Sequence, residues 1–189
     1  MLHRVVVTGA GMVTPLGSDV ATTWEGLLAG RSGAGPITKF DPARLGVRFA
    51  CEVKGFEPLQ YMDRKESRRY DLFAQFALGA AHQAVTQAGL EGRFPDPDRT
   101  GVVIGSGIGG MQTYEDNCAA YITKGPDRVS PFFVPMYIPD IAAGLAVLLL
   151  LAGAALEAQS TGQPSADSLR NARDTVDLSA KYLEGESLA

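Results

Sequence analysis

Val102-Val-Ile-Gly-Ser-Gly-Ile-Gly-Gly110 is a β-branched apolar run that ends in a cluster of glycines. Such a run suits a buried strand, and the glycines suit a tight turn leading into a helix. Val5-Val-Val-Thr-Gly-Ala-Gly11 repeats the pattern near the start of the chain. Helical signals lie around these runs. Asp19 precedes Val20–Gly30, a short helix with an N-cap and a closing glycine. Arg48–Val53 reads as another strand. Asp63 caps a long helix in which Leu72, Phe73, Phe76, Ala77, Ala80, Ala84, Val85 and Ala88 recur at three- and four-residue spacing, up to Gly89. Pro95 and Pro97 mark a loop, 110–124 reads as a further helix, and Gly125-Pro-Asp127 as another loop. Strands separated by helices predict an α/β fold with a parallel or mixed sheet covered on its faces.

At 189 residues, 46% hydrophobic and 20% charged, the chain suits one domain, or one domain with an appendage, and not a disordered protein. Its 17 basic and 21 acidic side chains leave a net charge of −4, so no nucleic-acid partner is expected. Two cysteines, two histidines (His3 and His82) and no Cys-x-x-Cys argue against a disulfide framework or a metal site. The start of the chain carries no secretory signal, so a cytoplasmic location is expected. Ile141–Leu156 has no charged side chain and includes Leu148–Leu151, yet it falls short of the ~20 residues of a membrane span. A buried helix is expected there and no membrane span; the block also has the look of a signal's apolar region, without the basic flank. Beyond it, Ser165 can cap a polar helix whose Leu169, Ala172, Val176 and Leu183 form one thin stripe. This change of character sets a boundary, with 1–144 as one domain and 145–189 as an apolar helix plus a polar helical tail.

Gly105-Ser-Gly107-Ile-Gly109-Gly110 fits the G-x-G-x-x-G pattern, in which glycines let the backbone approach a pyrophosphate. The acid about 20 residues further on is Asp127, but it sits in a turn with no strand before it. Gly9-Ala-Gly11-Met-Val-Thr14 lacks the third glycine. A small nucleotide-binding domain and simple crowding of strand, loop and helix both stay open. Arg64-Lys-Glu-Ser-Arg-Arg69 places Lys65, Arg68 and Arg69 on adjoining helical turns, as a solvated helix start or as a dock for an acidic partner. A catalytic cysteine needs a helix N-terminus or a neighbouring base to lower its pKa. Cys51 lies within the expected strand, and Cys118 lies mid-helix beside Glu115 and Asp116. His82 reads as the edge of a packed helical face. By its own residues the chain displays no active site.

Several segments taken together resemble the β-ketoacyl-acyl-carrier-protein synthases of the elongating, type II kind. They are Arg4–Gly17, Ile37-Thr-Lys-Phe-Asp41, Tyr61-Met-Asp-Arg-Lys65, Gly105–Met111 and Ser130-Pro-Phe-Phe-Val-Pro135, collinear over residues 1–144. The resemblance implies an incomplete N-terminal half of a thiolase-like fold, with a helical C-terminal tail. It also implies the family reaction, in which an acyl group loaded on a cysteine is attacked by the carbanion of decarboxylated malonyl-carrier protein, as in fatty acid or polyketide elongation. The cysteine, two histidines and lysine of that reaction belong beyond the matched part. Cys51 and Cys118 do not match the nucleophile motif, so the chain is expected to lack catalytic residues and to be inactive alone, a remnant or joined product that keeps binding contacts. By resemblance Ile108 and Phe133 line the acyl pocket, and Lys65, Arg68 and Arg69 dock the acyl carrier protein. Ser130–Pro139 falls near the family's dimer interface, which points to a homodimer. No cofactor and no metal are implied.

Overall fold

The computed structural model describes residues 4–91 and 99–160, with 151–160 as helical backbone. His3, the loop around Pro95 and Pro97, and the helix expected from Ser165 lie outside the described residues.

Local caps set the first helix. In α1 (Val20–Leu28) Asp19 accepts hydrogen bonds from the Thr22 amide at 2.7 Å and the Thr22 hydroxyl at 2.9 Å. These two bonds hold its carboxyl below the usual carboxylate range, so the cap stays ionised. The long helix expected from Asp63 is two helices, α2 (Arg64–Ser67) and α3 (Leu72–Ala88). Asp63 and Glu66 form a capping box at the start of α2. The break follows from Gln75. Its buried amide donates to the carbonyls of Ser67 at 2.8 Å and Tyr70 at 2.7 Å, groups that a continuous helix would bond through its backbone. α3 ends at Gly89, whose φ of 66° is the left-handed closure that favours glycine.

The expected strands are the main difference. Among the described residues the ladder between named strands is β1 (Gly35–Pro36) antiparallel to β2 (Phe49–Ala50), far shorter than the strand expected over 48–53. Val5–Val7 and Val102–Ile104 enter no ladder there, and Val5 and Val103 are 91% and 99% exposed. A parallel strand needs a neighbour and cover on both faces, and neither run finds one. The segment after Val7 lies on α3 instead. A Cβ at Gly9 would collide with the Ala84 carbonyl, and one at Gly11 with the Ala80 carbonyl. The Ala10 amide donates to Gln87 Oε1 at 2.6 Å and the Met12 amide to Gln83 Oε1 at 3.1 Å. Side chains of α3 thus satisfy backbone groups that a sheet would otherwise use.

α4 (Met111–Lys124), α5 (Phe133–Tyr137) and α6 (Ile141–Ser160) complete the order. α6 packs on α3, where Leu145 joins Met62, Ala74 and Leu78 in the core, with Tyr61, Tyr70, Phe73, Ile141 and Leu149 around them. The apolar block is therefore a helix, and Gly144–Leu145, where the sequence changes character, lies inside it. No helix among the described residues is long and apolar enough to cross a membrane.

Candidate functional site

α2 is a single turn, held by its capping box at one end and the Gln75 clamp at the other. Arg68 is its C-terminal cap, and the Arg69 amide donates to the Glu66 carbonyl at 2.8 Å. Lys65, Arg68 and Arg69 are therefore not a stripe on one long helix. They wrap, with Arg64, around an open hollow of about 420 Å³ whose other wall is Phe132. The Arg69 guanidinium carbon stands 5.0 Å from the centre of the Phe132 ring, within cation–π range. Arg64 and Phe132 were not singled out by the sequence. Arg64 was legible, four residues before Arg68, whereas Phe132 arrives from a segment remote in the chain.

A polar relay holds that segment in place. Asp71 stands at the N-cap position of α3 but makes no cap bond there. One of its oxygens accepts instead from the Thr113 hydroxyl at 2.5 Å and the Thr113 amide at 3.3 Å, on the first turn of α4. The Asn117 amide donates to the Thr113 carbonyl at 2.8 Å, and the Asn117 carbonyl accepts from the Ser130 amide at 2.8 Å. The Ser130 hydroxyl accepts from the Phe132 amide at 3.1 Å. The Arg69–Phe132 contact closes this circuit next to Asp71. Since Thr113 is buried, Asp71→Ala leaves its donors unmet and should cost about 1–3 kcal/mol of stability. Asp71→Asn keeps an acceptor and should cost less; urea denaturation of both variants checks the order.

Phe133 is half-buried on α5, stacked on Tyr137 at 5.7 Å and tilted against Tyr114 at 6.3 Å. It borders a second, apolar groove of about 270 Å³ between α4 and Val129. In that groove the Tyr114 phenol is pushed above its ordinary range, first by its hydrogen bond with Cys118 and then by the charge of that group. Ile108 is exposed on the loop 105–110. The loop meets the α5 segment through backbone: Gly110 donates to the Tyr137 carbonyl at 3.0 Å, and a Cβ on Gly109 (φ 84°) would strike that same carbonyl. Close approach thus accounts for Gly109 and Gly110, while nothing lies within 4 Å of a Cβ on Gly105 or Gly107. Ile108 and Phe133 sit on two segments held together through Tyr137. Cys51 is exposed just after β2, Cys118 is half-buried on α4, and His82 packs edge-on against Tyr61 at 5.5 Å. No group of three or more His, Cys, Asp or Glu side chains among the described residues could hold a metal ion.

The family described as "Beta-ketoacyl synthase, N-terminal domain" matches residues 2–172, a stretch that runs past Gly144. The chain is similar to 3-oxoacyl-[acyl-carrier-protein] synthase 2 of Staphylococcus aureus (strain COL), 48% identical over 166 residues, or 86% of this chain and 40% of that protein. The Synechocystis sp. protein of the same name is 46% identical over 147 residues, 78% of this chain and 35% of its own length. A crystal structure of a β-ketoacyl synthase from Burkholderia phymatum STM815 superposes with a TM-score of 0.64 at 27% identity, over 79% of this chain and 37% of that one. The chain spans 35% and 40% of the two curated relatives.

Proposed function

Because the chain belongs to the β-ketoacyl synthase family, with the N-terminal part of its thiolase-like fold, we propose that it carries the carrier-protein dock and part of the acyl-pocket wall of an elongating synthase. The reaction of such a synthase is the decarboxylative Claisen condensation of an acyl thioester with malonyl-carrier protein, in fatty acid or polyketide elongation. The observation that carries the reading is the convergence of Arg64, Lys65, Arg68 and Arg69 on one hollow, in a chain whose net charge is negative. A local basic field on an acidic protein attracts an acidic partner and leaves the rest of the surface repulsive to it. The partner is an acyl carrier protein, and the names of the curated relatives support this. Ile108 and Phe133, on segments held together by the Gly110 bond to the Tyr137 carbonyl, are the residues we assign to the acyl-pocket wall. A second copy would pair near residues 130–139, where Val134 is exposed. The site of action is cytoplasmic.

The chain alone condenses nothing. Covalent catalysis of this kind needs a thiolate placed beside a base and an oxyanion hole. Cys118 has a phenol for its neighbour, and Cys51 is an exposed residue beside a two-residue strand. The test is titration of the full chain with an acidic acyl carrier protein at rising salt, together with a condensation assay on acyl- and malonyl-carrier protein. Binding that weakens as salt rises, with no product formed, is the expected result. Absence of binding overturns the dock, and product formed by the chain alone overturns the non-catalytic reading.

A further inference from the structure

The four cations of the hollow are not equivalent. Arg64, Lys65 and Arg68 are exposed and extend into solvent, whereas Arg69 is half-buried with its guanidinium over the Phe132 ring. An aromatic face attracts the flat side of a guanidinium and leaves the N–H donors at its edge free. The side chain thereby gives up much of its rotamer freedom before any partner arrives, so less is lost when an anion binds. Phe132 in turn is held by the Ser130 and Asn117 bonds that tie its turn to α4. We propose that Phe132 is an affinity-determining residue of the dock: it presents Arg69 as a preset fork for a carboxylate on the surface of the acidic carrier protein. This rests on the docking reading and deepens it. A surface carboxylate is the occupant because the hollow is open and ringed by four cations, more positive charge than one isolated anion would meet. A planar fork also matches a carboxylate in two parallel hydrogen bonds.

The experiment uses the full chain and an acyl carrier protein with no prosthetic group attached, so that only protein carboxylates are available. Phe132→Leu keeps every charge but removes the ring, and should weaken binding about threefold to tenfold with an unchanged dependence on salt. Phe132→Tyr keeps the ring face and should bind within about twofold of the parent. Arg69→Lys keeps the charge on a group that is not planar and should lose as much as Phe132→Leu, with no further loss in the double variant. This last pair guards against a folding effect, because Arg69→Lys leaves in place the Ser130 and Asn117 bonds that hold the Phe132 turn. The proposal is overturned if Phe132→Leu or Arg69→Lys binds like the parent, if their losses simply add, or if the carrier binds only with its prosthetic group attached. Failure of the dock itself reads differently: the intact carrier would not bind, or binding would be unchanged after reversal of the basic residues.

Discussion

If the proposed dock operates, replacing Lys65, Arg68 and Arg69 together with glutamate should abolish measurable binding of the chain to an acidic carrier protein. Each replacement converts an attraction into a repulsion at the rim of one hollow. At low salt such a reversal is worth about tenfold in affinity or more, so the three together remove about a thousandfold. The loss should shrink as salt rises, since the Debye length falls to about 8 Å at physiological ionic strength. Net charge is separated from location by a control. Arg44→Glu changes an exposed cation that does not line the hollow and should leave binding nearly unchanged. Arg68→Glu makes the same change of two charges at the hollow, and equal losses in these two single variants would mean that the partner senses overall charge and not this site. Circular dichroism distinguishes lost binding from lost folding, and the capping box and Gln75 clamp give α2 support that does not depend on these three side chains.

The second large effect lies in the core. Leu145 is 6% exposed and faces Met62, Ala74 and Leu78, while Leu148, three residues on, is 60% exposed. Leu145→Ala should cost about 2–5 kcal/mol, which lowers the melting temperature of a chain of this size by about 10 °C. Leu145→Asp should cost more, because a carboxylate would be buried without a partner. Leu148→Asp should stay within about 0.5 kcal/mol of the parent. Thermal melts of the three variants give the order directly. If the two aspartates behave alike, α6 does not depend on this face for its seat on α3.

The parts of this structure that sequence made legible are those set by neighbours in the chain. Asp19 before α1, Gly89 after α3 and Gly125 after α4 are local caps, and each helix end lies where its cap puts it. The break between α2 and α3 was hidden because Gln75 occupies one polar position in an otherwise helical pattern. Only its burial reveals that it binds carbonyls at Ser67 and Tyr70. Strands were misread for a different reason. Val5–Val7 and Val102–Ile104 have the composition of strands, but pairing is settled by partners far along the chain, which composition does not contain. The candidate site divides the same way. The cations were legible as a cluster, and the collinear motifs pointed to the family, which the family match and the relatives bear out. Phe132 and Asp71 joined the site through contacts that no local pattern encodes.

Two glutamines of α3 separate the anchoring of the chain's start from the pairing of its first apolar run. Gln83 and Gln87 fasten residues 10–12 while Val5 and Val7 remain about nine-tenths exposed, so the fastening and the strand-forming run are adjacent but separate. An added strand could therefore zip onto Val5–Val7 without first releasing the amides of Ala10 and Met12. In hydrogen exchange, protection would spread outward from those two amides as pairing proceeds, with the glutamine lock serving as the fixed end of the zipper.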